Sequence, residues 1–291
     1  MKSSFPEYAC AYARRLAARS PRFALQVSAA PEEAFDETAG TGTADPFGEL
    51  KSASPCPGLT QRFPDRVLVM TAERCFMNCR HCTRRHILGR APLVRTDEDL
   101  ARCLAYVRSR PKVRDVLLSG GDILTHGDAR VMWFVEAFAA LAQVDIVRVC
   151  TRAVCANPRR ITASLVRRLA RSRKVWVNTQ FNCADEVTDE ARRAAARLVD
   201  AGIPVSCQTV LLKGVNDSPE EMLRLFRALT AARIRPYYVF TCDPVSGIDR
   251  FRVSTARARE IENACAEEIG GLSLPRFVSD LPDAKRKVPV S

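Results

Sequence analysis

From Arg66 onward, short apolar runs alternate with amphipathic stretches about every 30 residues. This rhythm restricts the chain to an α/β fold of parallel strands joined by crossover helices. Runs rich in β-branched and aromatic residues at 67–71, 113–118, 145–151, 174–180, 204–212 and 236–241 read as buried strands. Helical patterns fill the gaps at 97–108, 128–142, 162–171, 189–201 and 219–231. Thr188-Asp-Glu and Asn216-Asp-Ser-Pro-Glu place capping side chains before acidic first turns, and Gly202 follows the fourth helix as a stop. Six such units occupy about 180 residues, whereas a closed eightfold barrel needs about 250. An open, partial (β/α)6 TIM-like barrel is therefore expected, with a doubly wound sheet as the second choice. In either case the chemistry belongs at the carboxyl ends of the strands.

The flanks read differently. Residues 1–57 form an N-terminal extension, with a short helix at 8–18 and an irregular, poorly ordered stretch at 29–45. Residues 58–250 form the core, and 251–291 a C-terminal helix, strand and tail. A chain of 291 residues that is 47% hydrophobic can bury a sizeable core. No apolar run approaches the ~18 residues of a membrane span, and Met1 to Arg15 lacks the apolar segment of a secretory leader. A cytoplasmic protein without a membrane partner is expected. Its twelve cysteines then read as reduced thiols, metal ligands or catalytic groups, not disulfides. The net charge is +12, and 38 of the 45 basic residues are arginines spread along the chain. Arg167, Arg168, Arg171 and Arg173 share one helical segment, the pattern of a solvated face. No aromatic-rich RNA-binding motif accompanies them, so a nucleic-acid partner is not expected.

Three cysteines stand apart. Cys75-Phe-Met-Asn-Cys79-Arg-His-Cys82 follows the first strand of the rhythm. Three thiolates at C-x3-C-x2-C can converge on one inorganic centre, because the loop between them is short enough to fold back. Iron–sulfur clusters are normally held by four cysteines; a local set of three leaves one iron of a [4Fe–4S] cluster open to a small molecule. Zinc held by these thiols and His81 or His86 is the rival, although structural zinc sites favour paired C-x2-C motifs. The other nine cysteines, among them Cys10, Cys103, Cys150 and Cys265, are scattered singly and read as small core residues.

The cysteine motif at the end of a first barrel strand resembles the radical S-adenosylmethionine (SAM) superfamily. The wider context resembles the lysine 2,3-aminomutase family. Its carriers are Pro57-Gly-Leu-Thr-Gln-Arg62-Phe-Pro-Asp-Arg66, the CFMNCRHCTRR run from Cys75 to Arg85, and Leu117-Leu-Ser-Gly-Gly-Asp122. Val175-Trp-Val-Asn-Thr-Gln-Phe-Asn182, Gln208-Thr-Val-Leu-Leu-Lys-Gly-Val-Asn-Asp217 and Arg235-Pro-Tyr-Tyr-Val-Phe-Thr-Cys-Asp243 complete the set. The likeness runs from about Asp45 to Val290.

The resemblance implies a radical SAM barrel whose [4Fe–4S] cluster is held by Cys75, Cys79 and Cys82. SAM would chelate the open iron and yield a 5′-deoxyadenosyl radical, which abstracts an unactivated hydrogen inside a water-excluding barrel. Ser119, Gly120, Gly121 and Asp122 match the segment that contacts SAM, Gln208 matches a position near it, and Arg152 is a candidate carboxylate ligand. The family's second cofactor is pyridoxal phosphate (PLP), carried on a lysine. Arg62 and Arg66 match the residues that grip its phosphate, a task suited to a planar guanidinium. The tail from Asp280 to Val290 places the carrier at Lys287, with Lys285 as the fallback. Four glycines of the family are replaced here by Asp283, Ala284, Lys285 and Arg286.

Arg84 matches the residue that binds the substrate α-carboxylate, and Asp243 and Asp280 match two acids that hold a side-chain ammonium. Two acids suit a cation and repel a second carboxylate, which favours lysine over glutamate; arginine or ornithine would also satisfy them. The implied reaction moves the α-amino group of the amino acid to its β-carbon, with electrons from a flavodoxin or ferredoxin. A SAM-only radical enzyme without PLP is the alternative, and a basic iron–sulfur or zinc nucleic-acid-binding protein is the rival from another class. Departures from the family are Gln180, where histidine is usual, and Ser218, where a zinc-binding cysteine is usual. No structural zinc is therefore expected, and a homo-oligomer is not assumed.

Overall fold

The computed structural model describes residues 3–290. Three short helices come first: α1 (Ala11–Ala17), α2 (Pro21–Val27) and α3 (Glu32–Ala39). A hairpin of β1 (Leu59–Phe63) and β2 (Arg66–Ala72) leads into the alternating region. There follow α4 (Asp97–Arg108), β3 (Asp115–Gly120), α5 (Asp128–Ala139), β4 (Ile146–Cys150), α6 (Ala153–Ala156), α7 (Ala163–Arg171) and β5 (Val175–Gln180). Then come α8 (Asp189–Asp200), β6 (Val205–Val210), α9 (Pro219–Ala231), β7 (Arg235–Phe240), α10 (Thr255–Glu268), β8 (Arg276–Ser279) and β9 (Val288–Pro289).

All nine strands lie in one sheet in chain order, with β2 to β8 parallel and β1 and β9 antiparallel at its two edges. The expected open α/β barrel is present, and all six expected strands lie within it. The sheet carries three strands more. β8 is only four residues long, and its apolar signal is the pair Phe277 and Val278.

Capping chemistry sets the helix starts. Thr96 opens α4 with a reciprocal capping box to Asp99, and the Thr188 hydroxyl accepts from the Ala191 N–H at α8. Ser218 caps α9 by accepting from Glu221, with Pro219 at the first helical position. A continuous core runs between helices and sheet, with Val67, Val69, Val116, Leu118, Phe134, Phe138, Leu225 and Phe226 all buried.

The irregular stretch expected at 29–45 contains α3, which corrects that reading. Apolar periodicity missed it because its buried face is acidic. Glu33 is wholly buried and ion-pairs with Arg80, Arg85 and Arg250. Arg85 also meets Glu37, one helical turn on, at 2.7 Å. Arg80 and Arg85 belong to the cysteine-rich run, so the acidic face of α3 fastens that loop to the rest of the fold. α2 also went unread; Ser20 accepts from Phe23 N–H, and Pro21 stands at the first helical position.

Candidate active site

The parallel arrangement directs successive strand ends to one side of the sheet. β2 leads to Cys75, β3 to Gly121 and Asp122, β4 to Arg152, β5 to Gln180 and Asn182, β7 to Asp243 and β8 to Asp280. The three thiols sense one another's charge. Burial pushes Cys82 up to about 12, and Cys79 adds to the rise. Burial also raises Cys75 well above its usual value, helped by Cys82, Asp122 and Cys79. Among the described residues, no three Cys, His, Asp or Glu side chains gather on one point as a single ion requires. A mononuclear zinc site needs all its ligands within ~2.3 Å of one atom. A multi-iron cluster seats each thiolate on a different iron, so its ligands stand further apart.

The surroundings of the thiols suit an anionic cluster. Arg152 donates to Cys79 Sγ at 2.9 Å, while its other arm is held by Gln26 at 2.7 Å and Glu186 at 2.8 Å. Arg152 Nε is buried without a partner, and so is Nδ1 of His81, which lies between Cys79 and Cys82. Burial lowers the His81 pKa, and Arg152 and Arg250 add to the effect, so the ring is neutral. Its Nε2 lies 3.0 Å from the Gln180 amide nitrogen and 3.2 Å from that of Asn182. Two amide donors require Nε2 to accept, which leaves the proton on the unpartnered Nδ1. Arg152, expected as a carboxylate ligand, meets the chain's own Glu186.

The Ser119–Asp122 turn is built by its own backbone. Gly120 has φ +105°, and a Cβ there would lie 2.7 Å from the Ala72 carbonyl. A Cβ on Gly121 would lie 2.4 Å from the Arg74 carbonyl. The glycines thus let the turn pack against the segment entering the cysteine loop. Asp122 uses its carboxylate internally, accepting from Leu124 N–H at 2.9 Å, Arg152 N–H at 2.8 Å and the Thr151 hydroxyl at 2.7 Å. Gly121→Ala is expected to cost about 1–3 kcal/mol, since the obstructing atom is backbone and cannot swing away. A chemical denaturation midpoint equal to that of the unmodified chain would contradict this.

Sequence distance concealed the partner of Arg84. Glu49 grips it along one edge, Nε to Oε2 at 2.7 Å and Nη2 to Oε1 at 2.6 Å. The Arg84 Nη1 faces Ser119 Oγ and the Gly120 carbonyl, each at 3.5 Å. The Glu49 loop is itself pinned, because Asp45 accepts from Glu49 N–H and Leu50 N–H at 2.9 and 2.8 Å. Glu33, Glu186 and Gln26 were missed likewise. Each is a polar residue on a separate element, and only folding brings it to the cysteine loop.

A second group gathers at the far edges of the sheet. Lys287 Nζ ion-pairs with Asp280 and lies 5.0 and 5.2 Å from the ring centres of Phe63 and Phe240. Burial lowers its pKa, opposed by Asp280 and assisted by Arg62. The cation acting on it is Arg62, not its chain neighbours; Lys285 is exposed. Arg62 meets Asp280 at 3.1 Å and the Leu281 carbonyl at 2.8 Å. Arg66, at the amino end of β2, stacks 4.4 Å from the centre of the same Phe63 ring. Asp243 bonds to the Thr83 hydroxyl, and burial raises its pKa to about 6, with Asp280 adding to the rise. Asp280 is thus engaged by two cations of the chain, while its Oδ1 is buried and unpartnered. Gln208 stands in mid-sheet, 3.5 Å from the Tyr237 hydroxyl.

Residues 69–226 match the model of the radical SAM superfamily. The L-lysine 2,3-aminomutase of Acetoanaerobium sticklandii is 38% identical over 93% of this chain and 65% of its own. A putative L-lysine 2,3-aminomutase of Treponema pallidum is 35% identical over 98% of this chain and 79% of its own. A radical SAM methyltransferase from Sphaerobacter thermophilus shares the fold, with a TM-score of 0.54, 20% identity, and coverage of 76% of this chain and 68% of that one. The chain therefore spans just under two thirds of the first of these relatives. By these matches the chain belongs to the lysine 2,3-aminomutase family of the radical SAM superfamily.

Proposed function

We propose that the chain is a radical SAM, PLP-dependent aminomutase that moves the α-amino group of a basic amino acid, first of all L-lysine, to the β-carbon. The observation that carries this reading is Lys287. Its amine is sheltered by Phe63 and Phe240, lowered in basicity by burial, and within reach of Arg62 and Asp280. A half-buried amine whose pKa is drawn below the usual lysine value suits a PLP carrier.

Cys75, Cys79 and Cys82 would hold the [4Fe–4S] cluster, and Arg152 would steady the thiolate of Cys79. Bound there with SAM and reduced by an external flavodoxin- or ferredoxin-type donor, the cluster supplies radical chemistry; PLP on Lys287 supplies a home for the migrating nitrogen. The Ser119–Gly121 turn lines the SAM side, with Gln208 further along the sheet. Asp122 acts through the turn and Arg152, which it orients. Arg62 and Arg66 would take the PLP phosphate. Drawing Arg62 toward a phosphate would free Asp280 to join Asp243 in holding the substrate ammonium. Arg84, aimed by Glu49, presents Nη1 to the α-carboxylate.

The test is anaerobic reconstitution with iron, sulfide, SAM and PLP, with lysine, arginine, ornithine and glutamate supplied separately. The expected products are 5′-deoxyadenosine and a β-amino acid from lysine, with borohydride trapping a pyridoxyl group on Lys287. SAM cleavage without a trapped pyridoxyl group would instead support a SAM-only enzyme. Product from glutamate alone would overturn the roles of Asp243 and Asp280.

A further inference from the structure

We propose that Cys56 and Cys103 form a redox-active dithiol, oxidised to an intramolecular disulfide by a low-molecular-weight disulfide. The two residues are 47 positions apart in sequence, yet their sulfurs lie 4.0 Å apart. Among the described residues no other pair of thiols is in such contact. Neither belongs to the Cys75–Cys82 motif. No third Cys, His, Asp or Glu completes a metal site with them among the described residues.

The two thiols are unequal. Cys56 is half-buried in the Pro55-Cys56-Pro57 segment that enters β1, whereas Cys103 is fully buried on α4. The Cys56 pKa is lowered to about 7, first by the hydrogen bond from Cys103, with burial opposing and Arg102 assisting. Cys103 is raised, first by that same bond and then by burial. Of the two, Cys56 is therefore the more readily ionised and the better nucleophile near neutral pH. A thiol with its pKa near ambient pH attacks disulfides fastest.

The chemistry balances with the small disulfide as oxidant. The Cys56 thiolate attacks one sulfur of RS–SR, breaking that S–S bond and releasing RS⁻. This step removes the negative charge that raised Cys103, which then loses its proton to solvent. Its thiolate attacks Cys56 Sγ, forms the intramolecular S–S bond and releases the second RS⁻. Two protein thiols lose two electrons, and one small disulfide becomes two thiols. The sulfurs must close from 4.0 Å to about 2.05 Å. Cys56 is placed for that movement by its position in a connecting segment, not a helix. The bond would tie the lead-in to the strand bearing Arg62 onto α4.

The test treats the anaerobically purified, cluster-loaded chain with oxidised glutathione. Free thiols are then alkylated and the digest is read by mass spectrometry. A Cys56–Cys103 linked peptide, abolished by dithiothreitol, is the expected result. Cys103→Ser should leave a lasting glutathione adduct on Cys56, and alkylation of Cys56 should be half-maximal near pH 7. A glutathione adduct persisting on Cys56 of the unmodified chain, or no modification of Cys56 at all, would overturn the proposal. The linked peptide is read from the unmodified chain, so the conclusion does not depend on any variant folding.

Discussion

A chain carrying Cys79→Ala is expected to bind no stable cluster and to form no 5′-deoxyadenosine. Cys79 is one of the three sulfurs of the C-x3-C-x2-C run, and that run contains no fourth cysteine to replace it. Two ligands from protein cannot hold a four-iron centre that normally uses four. The substitution also strands Arg152, whose Nη1 donates to that sulfur. Glu186 and Gln26 still hold the other arm, so the fold itself should survive. Enzymes accelerate their reactions by about 10⁶-fold or more, and this chemistry has no route without the cluster. The loss should therefore exceed about 10⁶-fold, below detection. Iron and sulfide analysis with a deoxyadenosine assay checks it; a variant that keeps its iron and still cleaves SAM would refute the assignment of Cys79.

The second large effect concerns stability. Glu33→Ala should destabilise the chain by about 3–5 kcal/mol, because it leaves the buried Arg80 without a carboxylate partner, although Arg85 keeps Glu37. The carboxylate takes Arg80 Nε at 3.0 Å on both oxygens, Arg250 at 2.8 Å and Arg85 at 3.3 Å. Arg80 and Arg85 have no exposed side-chain area, so neither can turn to water without moving backbone. Against a typical total of about 5–15 kcal/mol, this is a large share. Arg80 directly follows Cys79, so cluster occupancy should fall as well. Urea denaturation of the anaerobic protein measures the first effect and iron content the second. A change under about 1 kcal/mol would show that Glu33 is not the anchor of the loop.

Much of the architecture was legible because it rests on repeating local signals. The helix at 189–201 has both ends marked in sequence, by Thr188 at its start and Gly202 just past its finish, and the Asn216-Asp-Ser-Pro-Glu run marks the start of the helix at 219–231. The cysteine spacing is equally local. α3 was not legible, since a face that buries carboxylates among arginines has the composition of a surface. Gly120 and Gly121 could be singled out by type, but the carbonyls that forbid a side chain there belong to Ala72, at the end of β2, and to Arg74 just beyond it.

By itself, the sequence determined the α/β rhythm and the close spacing of Cys75, Cys79 and Cys82, because each depends on residues within one helix turn, strand or loop. Tertiary structure alone decided which charges meet. Glu49 reaches Arg84, Glu186 reaches Arg152, Asp280 reaches Lys287, and Cys56 reaches Cys103. Between separate elements, ion pairs and thiol contacts have no period and no preferred separation along the chain. They form where crossovers bring distant strand ends together and burial removes the water that would otherwise keep each group apart.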